Sequence, residues 1–364
     1  MKRLCLFIAV CFLILGLISS CSLEETGFLE EDKIITNSDP DKDEENSEEE
    51  PTEKDDEEEE EEPEAPSVEF LFGKFVSETE IEFEFSLPVR VLSLSFDPPM
   101  ESGLVEEGSL VTVFLDESPK PGMRFTTYIE AEDEWENIIT VETILYAKNN
   151  RVPKLQINEL RTEWSNSASR AEFIEFKILS EGNLGALRVF VASNNANPMI
   201  YQFLPVEVGA GEYVVLHLRT LEQNLVISEY GDCLEESGGR DSSPLARDIW
   251  IPGSSKLLRK TDAVYIMDLD DNVLDAVMIS ETQAAIWNRD FLIEAARFLF
   301  YKGAWSSPAG EICLPADAVS SIGIGSAVTR SISRNETMDN VGNATNWYVT
   351  GNGGATPGGP NRLQ

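Results

Sequence analysis

From Val68 onward the chain runs in short segments that alternate apolar and polar residues with period two, and this pattern constrains the fold more than any other feature. Successive side chains on a strand point to opposite faces. A run such as Glu78-Thr79-Glu80-Ile81-Glu82-Phe83-Glu84-Phe85 therefore predicts a half-buried strand with a charged outer face. Further runs of the same kind are Glu69 to Phe75, Val89 to Phe96, Leu110 to Leu115, Arg124 to Glu132 and Ile138 to Leu145. Turn signals separate them at Asp97-Pro98-Pro99, Ser118-Pro119-Lys120-Pro121-Gly122 and Glu136-Asn137. Short strands at this spacing, with no helical period, predict an all-β sandwich over residues 67–150.

A second set of strands is expected after the breaker Asn149 to Pro153. It comprises Leu155 to Leu160, Ala171 to Phe176, Leu187 to Val191, Gly209 to Leu218, Lys256 to Asp268 and Val273 to Met278, the last two joined by a tight turn. Two stretches interrupt the pattern. Residues 228–252 are polar and Gly-rich, and residues 281–326 are long for a loop. Within the second stretch Arg289 to Phe300 has helix formers, with Phe291, Ala295 and Phe298 at helical spacing, and Gly303 is placed to end it. The helix is expected to lie across the sandwich as a lid, with Phe291, Phe298, Phe300 and Trp305 as the sharper candidates for a partner-facing patch.

The first 66 residues follow different rules. Lys2 and Arg3 precede an apolar run from Leu4 to Leu17, the length of a signal h-region and short for a membrane span. The run closes on Leu17-Ile18-Ser19-Ser20-Cys21, which resembles a bacterial lipobox. The resemblance implies a signal peptide over residues 1–20, lipid on Cys21 and a membrane-anchored protein of the bacterial envelope, with acyl chains giving stable attachment. Residues 21–66 follow, carrying roughly 23 acidic residues against three lysines. Such a segment cannot bury enough apolar area to offset its chain entropy and is expected to be an extended, disordered tether. It accounts for about half of the net charge of -38.

Two resemblances cover the folded part. Pro121-Gly122, Tyr128 and Asp133-Glu134-Trp135-Glu136-Asn137 are similar to the corresponding turn, strand and hairpin of bacterial immunoglobulin-like repeats, with Glu136 where a Gly is usual. Residues 153–362 resemble the lamin-tail domain, itself an immunoglobulin-like sandwich. The resemblance rests on an ordered series: Ile157-Asn158-Glu159, Glu172-Phe173-Ile174-Glu175, the strand from Gly211 through Tyr213 to Leu216, and the Asp262 to Val277 hairpin. Ser331-Ile332-Ser333-Arg334, Asn346-Trp347 and Thr356-Pro357-Gly358 with Asn361 complete it. The implied fold class is all-β, with two immunoglobulin-like sandwiches in tandem, the second carrying a helical insertion. The resemblance also implies an interaction module of the kind often appended to secreted hydrolases.

Chemistry is sparse in the sequence. There is one His, which removes most zinc and acid–base constellations, and no nucleophile elbow, Walker loop, HExxH or CxxC is present. An excess of 66 acidic over 28 basic residues without a basic run argues against nucleic acid as a partner. Glu159, Glu172 and Glu175 are the candidate paired carboxylates, although Glu172 and Glu175 point to opposite faces of a regular strand. Asp268-Leu269-Asp270-Asp271-Asn272 is open to a calcium reading but equally suits a hairpin turn, and His217 sits in an apolar strand. Cys233 and Cys313 are the one pair left for a disulfide once Cys5, Cys11 and Cys21 are set aside, with two free thiols as the alternative.

Together these features predict a non-enzymatic binding or structural module without a cofactor, anchored to the membrane through Cys21 and facing an envelope or protein partner. The alternatives are a hydrolase or hydrolase accessory acting on phosphoester or glycan substrates, and a calcium-dependent adhesin.

Overall fold

The computed structural model describes residues 67–105 and 107–363; the signal segment, Cys21 and the acidic stretch lie outside them. The fold is all-β with a single α-helix among the described residues.

The first sandwich is built from β1 (Phe70–Phe75), β2 (Glu80–Asp97), β3 (Ser102–Val105), β4 (Gly108–Leu115), β5 (Arg124–Glu132) and β6 (Ile138–Tyr146). The alternation produces the expected faces: Ile81, Phe83 and Phe85 are buried, with Val111, Val113, Phe125 and Ile129 packed against them. One expectation changes. The two runs around residues 78–85 and 89–96 are a single 18-residue strand, β2. Its first half pairs with β1 and β4, and its second half, from Arg90, pairs with β5. The exchange of partners falls around Pro88, which has no N–H for the ladder, and one strand thereby serves both layers.

The second sandwich uses β7 (Leu155–Arg161), β8 (Phe173–Ile178), β9 (Gly182–Asn183), β10 (Arg188–Val191), β11 (Met199–Gln202), β12 (Glu207–Val208) and β13 (Tyr213–His217). These are followed by β14 (Arg247–Trp250), β15 (Asp262–Met267), β16 (Val273–Ser280), β17 (Val319–Ser320), β18 (Ile332–Arg334) and β19 (Trp347–Val349). One layer has the order β14-β13-β8-β7-β18-β19, the other β11-β10-β15-β16-β17, with β9 and β12 as a separate pair. Ile157, Phe176, Val214 and Leu216 from one layer join Val189, Val264, Ile266 and Val277 from the other in one core.

Both interruptions in the sequence pattern are structural parts of this sandwich. The first supplies β14, a parallel neighbour of β13, and the second supplies β17, a parallel neighbour of β16. The second also carries α1 (Asp290–Tyr301), which packs on β15 and β16 and adds its buried side to the same core. Leu292, Ala295, Ala296 and Leu299 are its buried stripe, so the small alanines let the helix sit close to the sheet. Phe291 and Phe298 flank the stripe half-buried, and the Phe298 ring lies 5.6 Å from that of Tyr265. The helix ends before Gly303 as expected.

The two sandwiches meet through backbone. At the Pro121-Gly122 turn, Gly122 has φ +69°, and a Cβ there would lie 2.1 Å from the carbonyl carbon of Gly185. Asn149 Nδ2 donates to the carbonyls of Asn183 (2.8 Å) and Gly185 (2.9 Å) across the same contact.

Candidate functional site

The motif residues of the second sandwich converge on the outer face of the β7–β8 pair. Strand β7 bulges between Ile157 and Glu159, so Asn158 and Glu159 both reach that face while Ile157 keeps its place in the core. Glu159 lies directly across from Glu175 and, on its other side, across from Ser333 of β18. All three are fully buried.

The C-terminal stretch Thr356 to Asn361 lies over these carboxylates and supplies their donors. Glu159 accepts from the Thr356 backbone N–H at 3.0 and 3.1 Å and from the hydroxyls of Ser331 and Ser333. Glu175 accepts from the Gly358 N–H at 2.6 Å and from Asn158 Nδ2 at 2.8 Å. Glu336 accepts from the Asn361 N–H at 2.8 Å, from Tyr213 and from Lys177, while Asn361 Nδ2 donates to the carbonyls of Asn158 and Arg334. Gly358 is required at its position: its φ is +77°, and a Cβ would lie 2.4 Å from Ser243 in the first insertion.

Burial raises the Glu159 carboxyl above the ordinary range, against the pull of its serine and Thr356 donors. Burial, and then the adjacent Glu159, raise Glu175 well above it. Burial also pushes Glu336 upward, but the Asn361 N–H, Lys177, Asn158 and Tyr213 outweigh it, and this carboxyl ends below its usual value. The pair Glu159 and Glu175 has the look of an acid–base dyad, yet every nearby donor belongs to the chain itself. The arrangement clamps the C-terminal stretch to the sheet.

The remaining candidates are occupied as well. Glu172 lies on the opposite side from Glu175, as regular strand geometry requires. It forms a fully buried two-point ion pair with Arg219, whose guanidinium sits 3.9 Å over the Trp164 ring. His217 is buried, with Nε2 2.8 Å from Asp248 and its ring stacked 3.6 Å from that of Trp250. Asp268 accepts from the N–H groups of Asp270 and Asn272 at 2.9 Å, which makes it the organiser of its hairpin turn. Of the two states left open for Cys233 and Cys313, the structure has the free thiols: Cys233 is exposed and Cys313 lies in the core. Burial pushes the Cys313 thiol up to about 12.

A buried ion pair that sequence reading did not single out joins the two layers. Arg334 of β18 donates to Asp275 of β16 at 2.6 Å and to the Ile157 carbonyl, while Asp275 also accepts the Ile157 N–H released at the bulge. Ser331-Ile332-Ser333-Arg334 was legible as a motif, but its partner across the core was not.

Two of the concave features among the described residues gather side chains from separate segments. A cavity of about 250 Å³ opens where the sandwiches meet, lined by Lys74, Tyr146, Lys148, Asp268 and Asp270 among others. Lys74 is 3.8 Å from Glu82 and Asp268 is held by its own turn, so this lining has no dominant sign. A second, of about 310 Å³, lies at the start of α1 between the ends of β15 and β16. Arg259, Lys260, Trp287 and Arg289 gather there from separate parts of the chain.

Known proteins add the following. A family described as protein second domain matches residues 153–349. An uncharacterized protein of Treponema pallidum (strain Nichols) is 26% identical over 167 residues, which is 44% of this chain and 42% of that protein. This chain thus matches less than half the length of that relative. Among solved structures, a DUF4876 family protein from Bacteroides thetaiotaomicron VPI-5482 is similar with a TM-score of 0.26 and 11% identity, covering 77% of this chain and 92% of that one. That overlap is too loose to inform the fold.

Proposed function

The chain belongs to the family described as protein second domain, and from that premise we propose a membrane-anchored envelope lipoprotein whose folded part is a non-enzymatic binding module. In this reading residues 1–20 are a signal peptide, Cys21 carries lipid, and residues 21–66 space the folded part from an anionic bilayer. Residues 67–150 act as an immunoglobulin-like spacer domain and residues 153–362 as a lamin-tail domain. The support for the anchor is the run from Lys2 to Cys21 in the sequence. The support for the lamin-tail assignment is that its ordered motifs meet in one hydrogen-bonded network.

One observation carries the non-enzymatic reading. Glu159, Glu172, Glu175 and His217, the side chains with the most chemical promise in the sequence, are all fully buried and engaged in holding strands, turns or the C-terminal stretch. A catalytic carboxylate has to reach a substrate atom at hydrogen-bond distance. These four reach only the chain.

Crosslinking in intact cells followed by partner identification tests the binding role, and feeding a labelled fatty acid tests the anchor. The label is expected on the wild type and absent from Cys21→Ala; equal label on both would sink the anchor. Turnover of phosphoesters or glycosides that disappears in Glu175→Gln would overturn the non-enzymatic reading, because Gln retains the shape and one acceptor.

A further inference from the structure

We propose that the cavity at the start of α1 binds a small organic anion, a carboxylate or phosphate head carried on a flat or apolar body. The proposal extends the binding-module reading to a ligand class, and its failure would leave the anchor and partner experiments unaffected.

The walls are prearranged. Trp287 is buried, and its Nε1 donates to the Cys313 carbonyl at 2.8 Å, so the indole is fixed in plane. Leu292 of α1 and Pro315 are buried beside it, and half-buried Phe291 completes an apolar wall. The rim is cationic. The backbone N–H of Arg259 donates to buried Asp262 at 3.0 Å, which fixes where that residue leaves the sheet. Lys260 is neutralised by Glu281 at 2.6 Å and also donates to the Gly325 carbonyl. Arg259 and Arg289 are exposed and, among the described residues, have no carboxylate partner, so the lining charge is positive in a chain of net charge -38.

Two exposed arginines in the lining beside an apolar wall match the chemistry of an oxyanion with a ring or short hydrocarbon body. Guanidinium presents a planar fork to carboxylate or phosphate, and indole and phenyl faces take up a flat body. The volume of about 310 Å³ is at the lower end for ligand cavities, which limits the body to about one ring. Acidic surroundings disfavour unspecific anions, so binding here has to come from local geometry rather than from the overall field.

The experiment uses the full chain titrated with phenyl phosphate and benzoate, with phenol as the uncharged control, followed by calorimetry and by tryptophan fluorescence. Saturable binding of at least one of the two anions is expected, weakened at least tenfold in the R259Q/R289Q double variant and at least tenfold weaker for phenol. Both arginines are exposed, so the double variant should melt as the wild type does. Trp287→Phe should remove the fluorescence change while calorimetry still detects the anion. Absence of saturable binding for both anions, or affinity unchanged in the double variant, overturns the proposal.

Discussion

Asp262 shows how a carboxyl is held inside the second sandwich. Its two oxygens accept from the N–H groups of Ser193, Arg259 and Ala263 and from the Ser193 hydroxyl, so all its acceptor sites are used by the chain. Burial nevertheless raises its pKa from 3.8 to about 6. The folded state therefore keeps a proton that the unfolded chain releases near pH 4. The resulting stabilisation is full below about pH 4 and is lost as pH rises through about 6, on the order of 2–3 kcal/mol for a shift of this size. Urea midpoints measured from pH 4 to 7.5 should fall less steeply in Asp262→Asn than in the wild type; equal slopes would contradict this account. The slope is the readout, because Asn also loses acceptors and lowers stability at every pH. Two turns show a different residue-scale device. Asp133 and Asp268 each accept from backbone N–H groups two and four residues on, with Glu136 and Asp271 in the left-handed region at φ 64° and 60°. The Asp-to-Asn turn was readable as a turn, and the side-chain hydrogen bonds explain why it forms without glycine.

At the level of elements, the bulge in β7 matters most. By adding one residue it turns Asn158 and Glu159 to the same face, and that face receives β18 and the C-terminal stretch. Glu159→Ala removes the acceptor shared by Ser331, Ser333 and Thr356 and leaves buried donors unpaired. A loss of about 2–4 kcal/mol is expected from unsatisfied groups of this kind. The Thr356 and Gly358 amides should then exchange with solvent far faster than those of β8. Protection in the variant equal to that of the strands would show that the stretch is held by something else. Each motif in this network was visible in the sequence, but Glu159 and Thr356 are 197 positions apart, and no local pattern states that they meet. The same holds for β2: two separate strands are the natural reading of runs divided by Pro88, and only the neighbouring β4 and β5 make them one.

For the whole molecule, the contrast between the two sandwiches explains where sequence reading succeeds. In the first, strand faces alternate between buried and solvated, as β5 shows, so period two is plain. In the second, β7 and β13 are buried along their whole length because the first insertion and the C-terminal stretch cover the outer faces. Polar residues there read as surface positions and turn out to be interior partners. The joint between the sandwiches is equally hidden. Gly122→Ala places a methyl where the Gly185 backbone stands, and overpacking of this kind costs about 1–3 kcal/mol. In that variant, amide exchange at Asn183 to Ala186 should rise and small-angle scattering should show a wider spread of dimensions. An unchanged scattering profile and unchanged exchange would mean that the contact does not hold the sandwiches together.

The sequence by itself determined the all-β class, the positions of most strands and turns, the one helix of the described residues and the high charge density of residues 21–66. These depend on local periodicity, turn chemistry and charge density, which operate over a few residues. Only the tertiary structure decided which carboxylates are buried, that Cys233 and Cys313 stay apart, that the insertions complete the sheets, and that Arg259, Lys260, Trp287 and Arg289 surround one cavity. Those outcomes depend on pairings between distant segments, whose energies arise from desolvation and packing that no stretch of sequence contains alone.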